Sequence, residues 1–368
     1  MATVEDFIAA GLYDPACKET VGRLELLTWL DAKGVTVADM VDALASDSLG
    51  AMAGDRRLVP GERLTLADVG AQVGIDPSEL ESMAVAFGLV SVQGSPDGEI
   101  GITLDEARAA SVFEGLAQMF SRDEARSLIR VIGSSAGRMA EASVSMFLAD
   151  VESRMLSDGS SEIDLAHAVE DAIGLIDGFM ESLDPIYRRH LLQAIERSRE
   201  TTVSLRERFT YRYAVGFVDL VGFTEISGSM SGRELAAFLR DFEGRAYDVV
   251  TAAGARVVKL IGDEVMFVAS DAEAACRAGA ELLAGFGSEH ERVLPRGGLA
   301  YGEMLVRGGD YYGSVVNLAS RLTDEAVPQE LLVTEELAAA APSCSFEPAG
   351  RRMVKGFDSP IAVKSLRH

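Results

Sequence analysis

Two aspartates in this chain stand where carboxylates could do metal chemistry. Asp219 follows the apolar run Ala214 to Val218, which delivers it at the end of a buried strand. The glycine of Val221-Gly222-Phe223-Thr224 then lets the backbone approach a ligand closely. Asp263 sits in the turn of Val257-Val258-Lys259-Leu260-Ile261-Gly262-Asp263-Glu264-Val265-Met266-Phe267, between two β-prone runs. Carboxylates from a strand end and a neighbouring hairpin tip are able to hold two Mg²⁺ ions, one activating an attacking oxygen and the other clamping phosphates. Each residue also has a plainer reading. An Asp after Gly in a tight turn is commonly turn chemistry, as is Asp310 after Gly309; Lys259 reads as a solvent-facing strand lysine, and Asn317 with Arg321 as a helix surface pair.

The elements needed to position these groups are legible from Tyr211 onward. Short β-prone runs (Ala214 to Val221, the two flanking Gly262-Asp263, and Arg296 to Val306) alternate with helical patterns at 232–254 and 271–287. Strands mixed with helices at this spacing predict an α+β or α/β domain of about 155 residues. Residues 1 to about 205 read almost wholly as helix. Ile163, Ala166, Val169, Ile173, Ile176 and Met180 form one apolar stripe on a helix expected to end before Pro185, with a continuation from Ile186 through Leu191, Ala194 and Ile195. The polar stretch from Glu196 to Arg208 reads as an interdomain linker. The expected organisation is a helical domain over 1–195, a linker over 196–209 and a second domain over 210–368.

Three motifs in one order, FVDLVGFT at 217–224, VVKLIGDEVMF at 257–267 and GDYYGSVVNLASR at 309–321, resemble those of class III adenylate cyclases, and the first 205 residues resemble in layout the helical regulatory domain ahead of soluble actinobacterial cyclases of this class. The motif resemblance covers roughly Thr210 to Arg367, with Met353 to Phe357 resembling the family's last strands. It implies a ferredoxin-like βαββαβ core, behind an all-α regulatory domain, that works as a homodimer with sites at the subunit interface. Asp219 and Asp263 would bind two Mg²⁺ or Mn²⁺ ions per site, and the backbone of Val221, Gly222, Phe223 and Thr224 would cradle phosphate. Lys259 and Asp310 match the family's purine-reading pair. Adenine offers an acceptor at N1 to an ammonium and a donor at N6 to a carboxylate, whereas guanine reverses both, so ATP is the expected substrate. Asn317 and Arg321, four residues apart and on one helical face, resemble the ribose-positioning and transition-state groups. Arg307 and Lys355 lie where triphosphate-binding cations are expected. Tyr311 and Tyr312 fill positions on the pocket rim often held by other bulky residues. The implied reaction is attack of the ribose 3′-oxygen on the α-phosphorus in line with departing pyrophosphate, giving 3′,5′-cyclic AMP.

Composition bounds the alternatives. The chain has 368 residues, 48% of them apolar, and a formal charge of −24, which disfavours nucleic acid and anionic lipid surfaces as partners. Cys17, Cys276 and Cys344 form no CxxC pair, and no apolar stretch is long enough to span a membrane, so a cytoplasmic protein without an integral membrane segment is expected. Residues 64–89 have the look of a helix-turn-helix with Gly74 in the turn and Asp76 or Ser78 as cap. Its second helix offers Glu79 and Glu81 and no cation, which argues against DNA. Met119, Met139, Met146, Met155 and Met180, with Phe113, Phe120, Phe147 and Phe179, read mostly as core, with a fatty-acyl pocket or an adaptable dimer surface as the alternative. The helical domain is expected to regulate by setting the placement of the two catalytic domains, in response to a proton or a lipid. Of the four histidines, His190 stands out beside Arg188 and Arg189 as a pH-responsive group. Competing readings are a guanylate cyclase, which Lys259 with Asp310 disfavours, a diguanylate cyclase, whose signature IGDEVMF only partly echoes, and a non-catalytic nucleotide sensor.

Overall fold

The computed structural model describes residues 1–17, 22–46, 48–89, 101–116, 119–201, 210–286 and 293–367. The chain forms two compact units, Met1–Tyr187 and Arg188–His368. Of the stretch expected as a linker, residues 196–201 are helical and 202–209 lie outside the described residues. No helix among the described residues is long and apolar enough to cross a membrane.

The first unit is helical. Its elements are α1 (Val4–Ala9), α2 (Arg23–Ala32), α3 (Val37–Ala45), α4 (Met52–Leu58), α5 (Leu66–Val73), α6 (Pro77–Phe87), α7 (Leu104–Leu116), α8 (Arg122–Phe147), α9 (Ser153–Ser157) and, as far as Tyr187, α10 (Glu162–Thr201), with a π-helical turn at Leu148–Glu152 between α8 and α9. Helix starts follow side-chain chemistry: Thr3 and Thr36 form capping boxes with Asp6 and Asp39, and Asp76 accepts from the Ser78 N–H to open α6. One core gathers Phe7, Leu26, Leu27, Leu30 and Met40 with Ile163 and Ala166 of α10. The pair α5 and α6 turns at Gly74, at φ 75°, as the helix-turn-helix reading expects. Glu79, on the would-be reading helix, is tied to Arg126 of α8 at 3.4 Å. A Cβ on Gly133 of α8 would meet the carbonyl oxygen of Phe87 at 2.1 Å, so α6 ends pressed against α8.

Two expectations for this unit do not hold. Helix α10 does not stop at Pro185; the proline lies inside it. A proline removes one N–H and crowds one carbonyl, which bends or weakens a helix, and here the flanking turns carry the chain through. The methionine and phenylalanine group is not core: Met119, Phe120, Met139, Met146, Phe179 and Met180 are exposed within the single chain, and Phe113, Phe147 and Met155 are partly covered. Burial fades along the α10 stripe, from Ala166 at 1% exposure to Met180 at 57%.

The second unit is α+β. It comprises β1 (Thr210–Val221), α11 (Phe223–Ser227), α12 (Gly232–Ala252), β2 (Arg256–Ile261), β3 (Glu264–Ala269), α13 (Ala272–Phe286), β4 (Leu294–Arg307), β5 (Asp310–Tyr312), α14 (Ser314–Glu325), β6 (Leu331–Thr334), α15 (Glu335–Ala340), β7 (Phe346–Arg352) and β8 (Ile361–Leu366). The sheet order is β2-β3-β1-β4-β6-β8-β7, with β5 pairing β4. From β1 to β4 this is the βαββαβ unit with antiparallel order 2-3-1-4, extended by β6, β8 and β7. Met353 to Phe357, expected as strand, instead forms the connection between β7 and β8; Phe357 bonds back to Val354 as a turn does.

Strand β1 is apolar on both faces because both are covered. Ala214, Val218 and Leu220 enter the core beneath α12 and α13, while Tyr213, Val215 and Phe217 enter the core on the α14 side. Period-two alternation therefore puts Asp219 on the α14 side. Helix α14 is held hard against the sheet. A Cβ on Gly298 of β4 would lie 2.4 Å from the Ala319 carbonyl oxygen, and the buried Thr323 hydroxyl donates to the Phe217 carbonyl at 3.2 Å. A Gly298→Ala variant must push α14 outward, and we expect it to lower stability in urea unfolding by about 1–3 kcal/mol, the usual cost of overpacking.

Candidate active site

The site is built where β1 ends. Asp219 is the third residue from the end of β1 and pairs across the ladder with Arg296 of β4. Gly222, at φ 89°, turns the chain into α11, so only a residue tolerant of the left-handed region fits there. Val221 closes the strand, Phe223 turns its ring into the core against Phe238, and Thr224 stays exposed at the start of α11. Asp263 occupies the two-residue turn between β2 and β3, after Gly262 at φ 65°. Folding brings the two carboxyl groups near enough for the charge of Asp219 to act on Asp263.

Negative charge crowds this corner. The Asp263 carboxyl is pushed up, first by burial and then by Asp219, although its own backbone N–H and Arg296 oppose the shift. The Glu264 carboxyl is raised to about 7, again first by burial and then by Asp219, Asp324 and Asp263. Arg296 supplies the local positive charge, with Nε and Nη2 donating to Oδ2 of Asp219 at 3.2 and 3.1 Å. Among the described residues no group of three or more His, Cys, Asp or Glu is arranged to cage a metal ion. Paired carboxylates short of positive charge suit Mg²⁺ or Mn²⁺, which Mg²⁺-type sites commonly hold with one or two carboxylates and complete with water and substrate phosphate.

A second cluster lies on β2 and the β4–β5 hairpin. Lys259 Nζ donates to Oδ2 of Asp310 at 2.5 Å, joining residues 51 apart in sequence. Tyr311 is not on a rim: it is 5% exposed, edge-on to Tyr213, and accepts from Arg256 Nη2 at 2.7 Å, while Tyr312 is the exposed neighbour. The carboxylate of Asp310 also accepts from the Tyr311 N–H at 2.8 Å, so the buried ring fixes the residue that presents the acid. Asn317 and Arg321 project from the exposed face of α14, and Arg321 meets Asp324 at 3.1 Å. Arg307 faces Asp310 across the hairpin, and its side chain is exposed. Lys355 is exposed in the connection after β7, and His190 is exposed on α10 in the stretch Arg188 to His190.

Arg296 and Glu264 have no place in the sequence reading of the site. Glu264 had a signal, since it adjoins Asp263 and alternation on β3 turns it to the same face as Met266 and Val268. Arg296 had none, because its partner is 77 residues away.

A βαββαβ sheet extended at one edge, in a chain whose N-terminal part is all helix, is the fold class of a class III nucleotide cyclase. The adenylate cyclase regulatory domain family matches residues 5–192. The chain is 32% identical over 359 residues to an uncharacterised protein of Mycobacterium tuberculosis, covering 97% of this chain and 92% of that one. It is 33% identical over 219 residues to an adenylate cyclase of Streptomyces coelicolor, 59% of this chain and 56% of that one. It is 26% identical over 361 residues to a pH-sensitive adenylate cyclase of Mycobacterium tuberculosis, 94% of this chain and 88% of that one. Among solved structures, the adenylyl cyclase CyaB of P. aeruginosa aligns with a TM-score of 0.39 at 23% identity, covering 43% of this chain and 96% of that one. The chain belongs to the adenylate cyclases that carry this N-terminal regulatory domain.

The raised Glu264 carboxyl has a measurable effect on the metal-free protein. Its folded-state pKa, about 7, exceeds the unfolded value of 4.5, so the folded state holds the proton more tightly. The contribution of Glu264 to stability is therefore fullest below pH 4.5 and is lost as pH rises through 7. Relative to wild type, Glu264→Gln should gain about 1–2 kcal/mol by pH 8, discounted for partial water access, and nothing near pH 4.5. Urea unfolding in EDTA across that range reads this directly; a stability difference that does not change with pH removes the assignment.

Proposed function

We propose that this protein converts ATP to 3′,5′-cyclic AMP and pyrophosphate, at sites shared between two copies of the chain and loaded with two divalent cations. The observation that carries the substrate is the Lys259–Asp310 pair, 2.5 Å apart and fixed from below by Tyr311. Adenine entering between them would replace one ion pair with two hydrogen bonds, from the ammonium to N1 and from N6–H to the carboxylate. Guanine would set donor against donor and acceptor against acceptor, at about 1–3 kcal/mol for each unpaired group.

Asp219 and Asp263 would hold the cations, which when bound supply Lewis-acid stabilisation of the triphosphate and acidify the ribose 3′-hydroxyl. The chain's own groups do the rest. Backbone N–H groups from Val221 to Thr224 face the phosphates, with Arg307 and Lys355 as further cations. Asn317 orients the ribose, and Arg321 meets the charge that develops on the α-phosphate. Arg321 rests on Asp324 at 3.1 Å, an exposed pair whose loss costs little when phosphate arrives. The regulatory unit would act through α10, with protons or a lipid as the stimulus; the apolar side chains left exposed on α8 and α10 are the surface on which a second copy or an acyl chain would settle.

Purified protein incubated with Mn²⁺ and either ATP or GTP should yield cyclic AMP by mass spectrometry, with the GTP product at least about tenfold lower. Asp219→Ala and Arg321→Ala should each lose at least about a hundredfold in kcat. Co-expressed as a heterodimer, they should regain one working site per dimer, because the intact halves meet across one interface. Intact heterodimers with no regained activity would falsify the shared-site reading. A His190→Ala chain should show a displaced activity profile between pH 5.5 and 8; superimposable curves remove His190 from regulation.

A further inference from the structure

Arg296 stands directly opposite Asp219 in the β1–β4 ladder. One limb of its guanidinium grips the acid: Nε and Nη2 both donate to Oδ2 of Asp219, at 3.2 and 3.1 Å. The other limb reaches a helix end. Nη1 donates to the carbonyl oxygens of Asp324 at 2.8 Å and Ala326 at 3.5 Å, the last turn and the cap of α14. Both partners of the ion pair are about three-quarters enclosed, with side-chain exposures of 24% and 22%, so water competes weakly for these bonds. Only a planar fork of several donors can span a carboxylate and a helix C-terminus together, and the carbonyls there carry partial negative charge that favours a cation.

The geometry points to Arg296 as a positioning residue that ties the carboxylate of Asp219 to the end of the helix bearing Asn317 and Arg321. Holding Oδ2 fixes the direction of the carboxylate and keeps the acid beside Asp263. Holding the Asp324 and Ala326 carbonyls fixes α14 at the end nearer Arg321. On the shared-site reading given above, on which this inference rests, Asp219 serves one site of the homodimer and α14 of the same chain serves the other. One guanidinium then sets the aim of groups in two different sites.

The test compares full-length Arg296→Met and Arg296→Lys with wild type, folding being checked by circular dichroism and dimerisation by sedimentation. Mn²⁺ binding, read from the electron paramagnetic resonance of the free ion, should be within about threefold of wild type or tighter in Arg296→Met, since a repelling charge is gone. Its kcat should nevertheless fall at least about a hundredfold, with KM for ATP within about threefold. Arg296→Lys, the milder change should Arg296→Met fail to fold, should keep less than about a tenth of wild-type kcat, because one ammonium cannot hold both ends. A kcat within about threefold of wild type in either variant, or a loss that excess Mn²⁺ restores, overturns the proposal.

Heterodimers separate the two ends. An Arg296→Met chain paired with an Asp219→Ala chain has one live site, built from the altered carboxylates and an intact α14. Paired with an Arg321→Ala chain, its live site has intact carboxylates and the altered α14. Both should run at least about tenfold below the Asp219→Ala with Arg321→Ala heterodimer, and either one matching that control breaks the link. If that control is itself inactive while wild type works, the shared-site reading fails, and the homodimer measurements alone decide whether Arg296 positions Asp219.

Discussion

A strand that is apolar on both faces has to end somewhere, and in this protein a carboxylate, Asp219, stands third from the end of β1. Ala214, Val218 and Leu220 are covered from one side and Tyr213, Val215 and Phe217 from the other, so Asp219 emerges at the edge of a packed interior, with little water to offset its charge. Asp263, Glu264 and Asp324 gather at the same corner. The cross-strand cation Arg296 neutralises part of that charge. The rest is left as raised carboxyl pKa values, a standing preference for anything positive that can enter. The pH dependence expected of Glu264 follows from this excess of negative charge.

Much of the catalytic unit was legible because its signals are local. The runs forming β1, β2, β3 and β4, the Gly262-Asp263 turn, and the helical periodicities of α12 and α13 all appear in the fold where the sequence puts them. What was not legible depends on partners distant in sequence. Arg296 reads as any strand arginine until the β1–β4 register sets it opposite Asp219. Tyr311 reads as a rim residue until Tyr213 and Arg256 enclose it. The stretch Met353 to Phe357 carries strand-forming Met, Val and Phe, yet Gly356, at φ 88°, makes it a turn.

In the helical unit the errors run the other way, with local rules applied too strictly. An amphipathic stripe implies a covering surface, and soft apolar side chains usually imply a core, but neither rule says which chain supplies the cover. Ile163 and Ala166 are buried by this chain's own helices, whereas Phe179 and Met180, farther along α10, are exposed in it. The proline rule failed for a related reason: a cost of about 3 kcal/mol is decisive for a short isolated helix and tolerable within one of 40 residues.

Helix α10 thus has one missing rung, since Pro185 has no N–H to offer the carbonyl of Glu181. A rod so notched remains stiff along its axis, because the turns on either side are complete, but it yields to sideways load at one place. Such a rod conveys a push or a twist while absorbing a tilt. The notch falls two residues before the boundary between the two compact units.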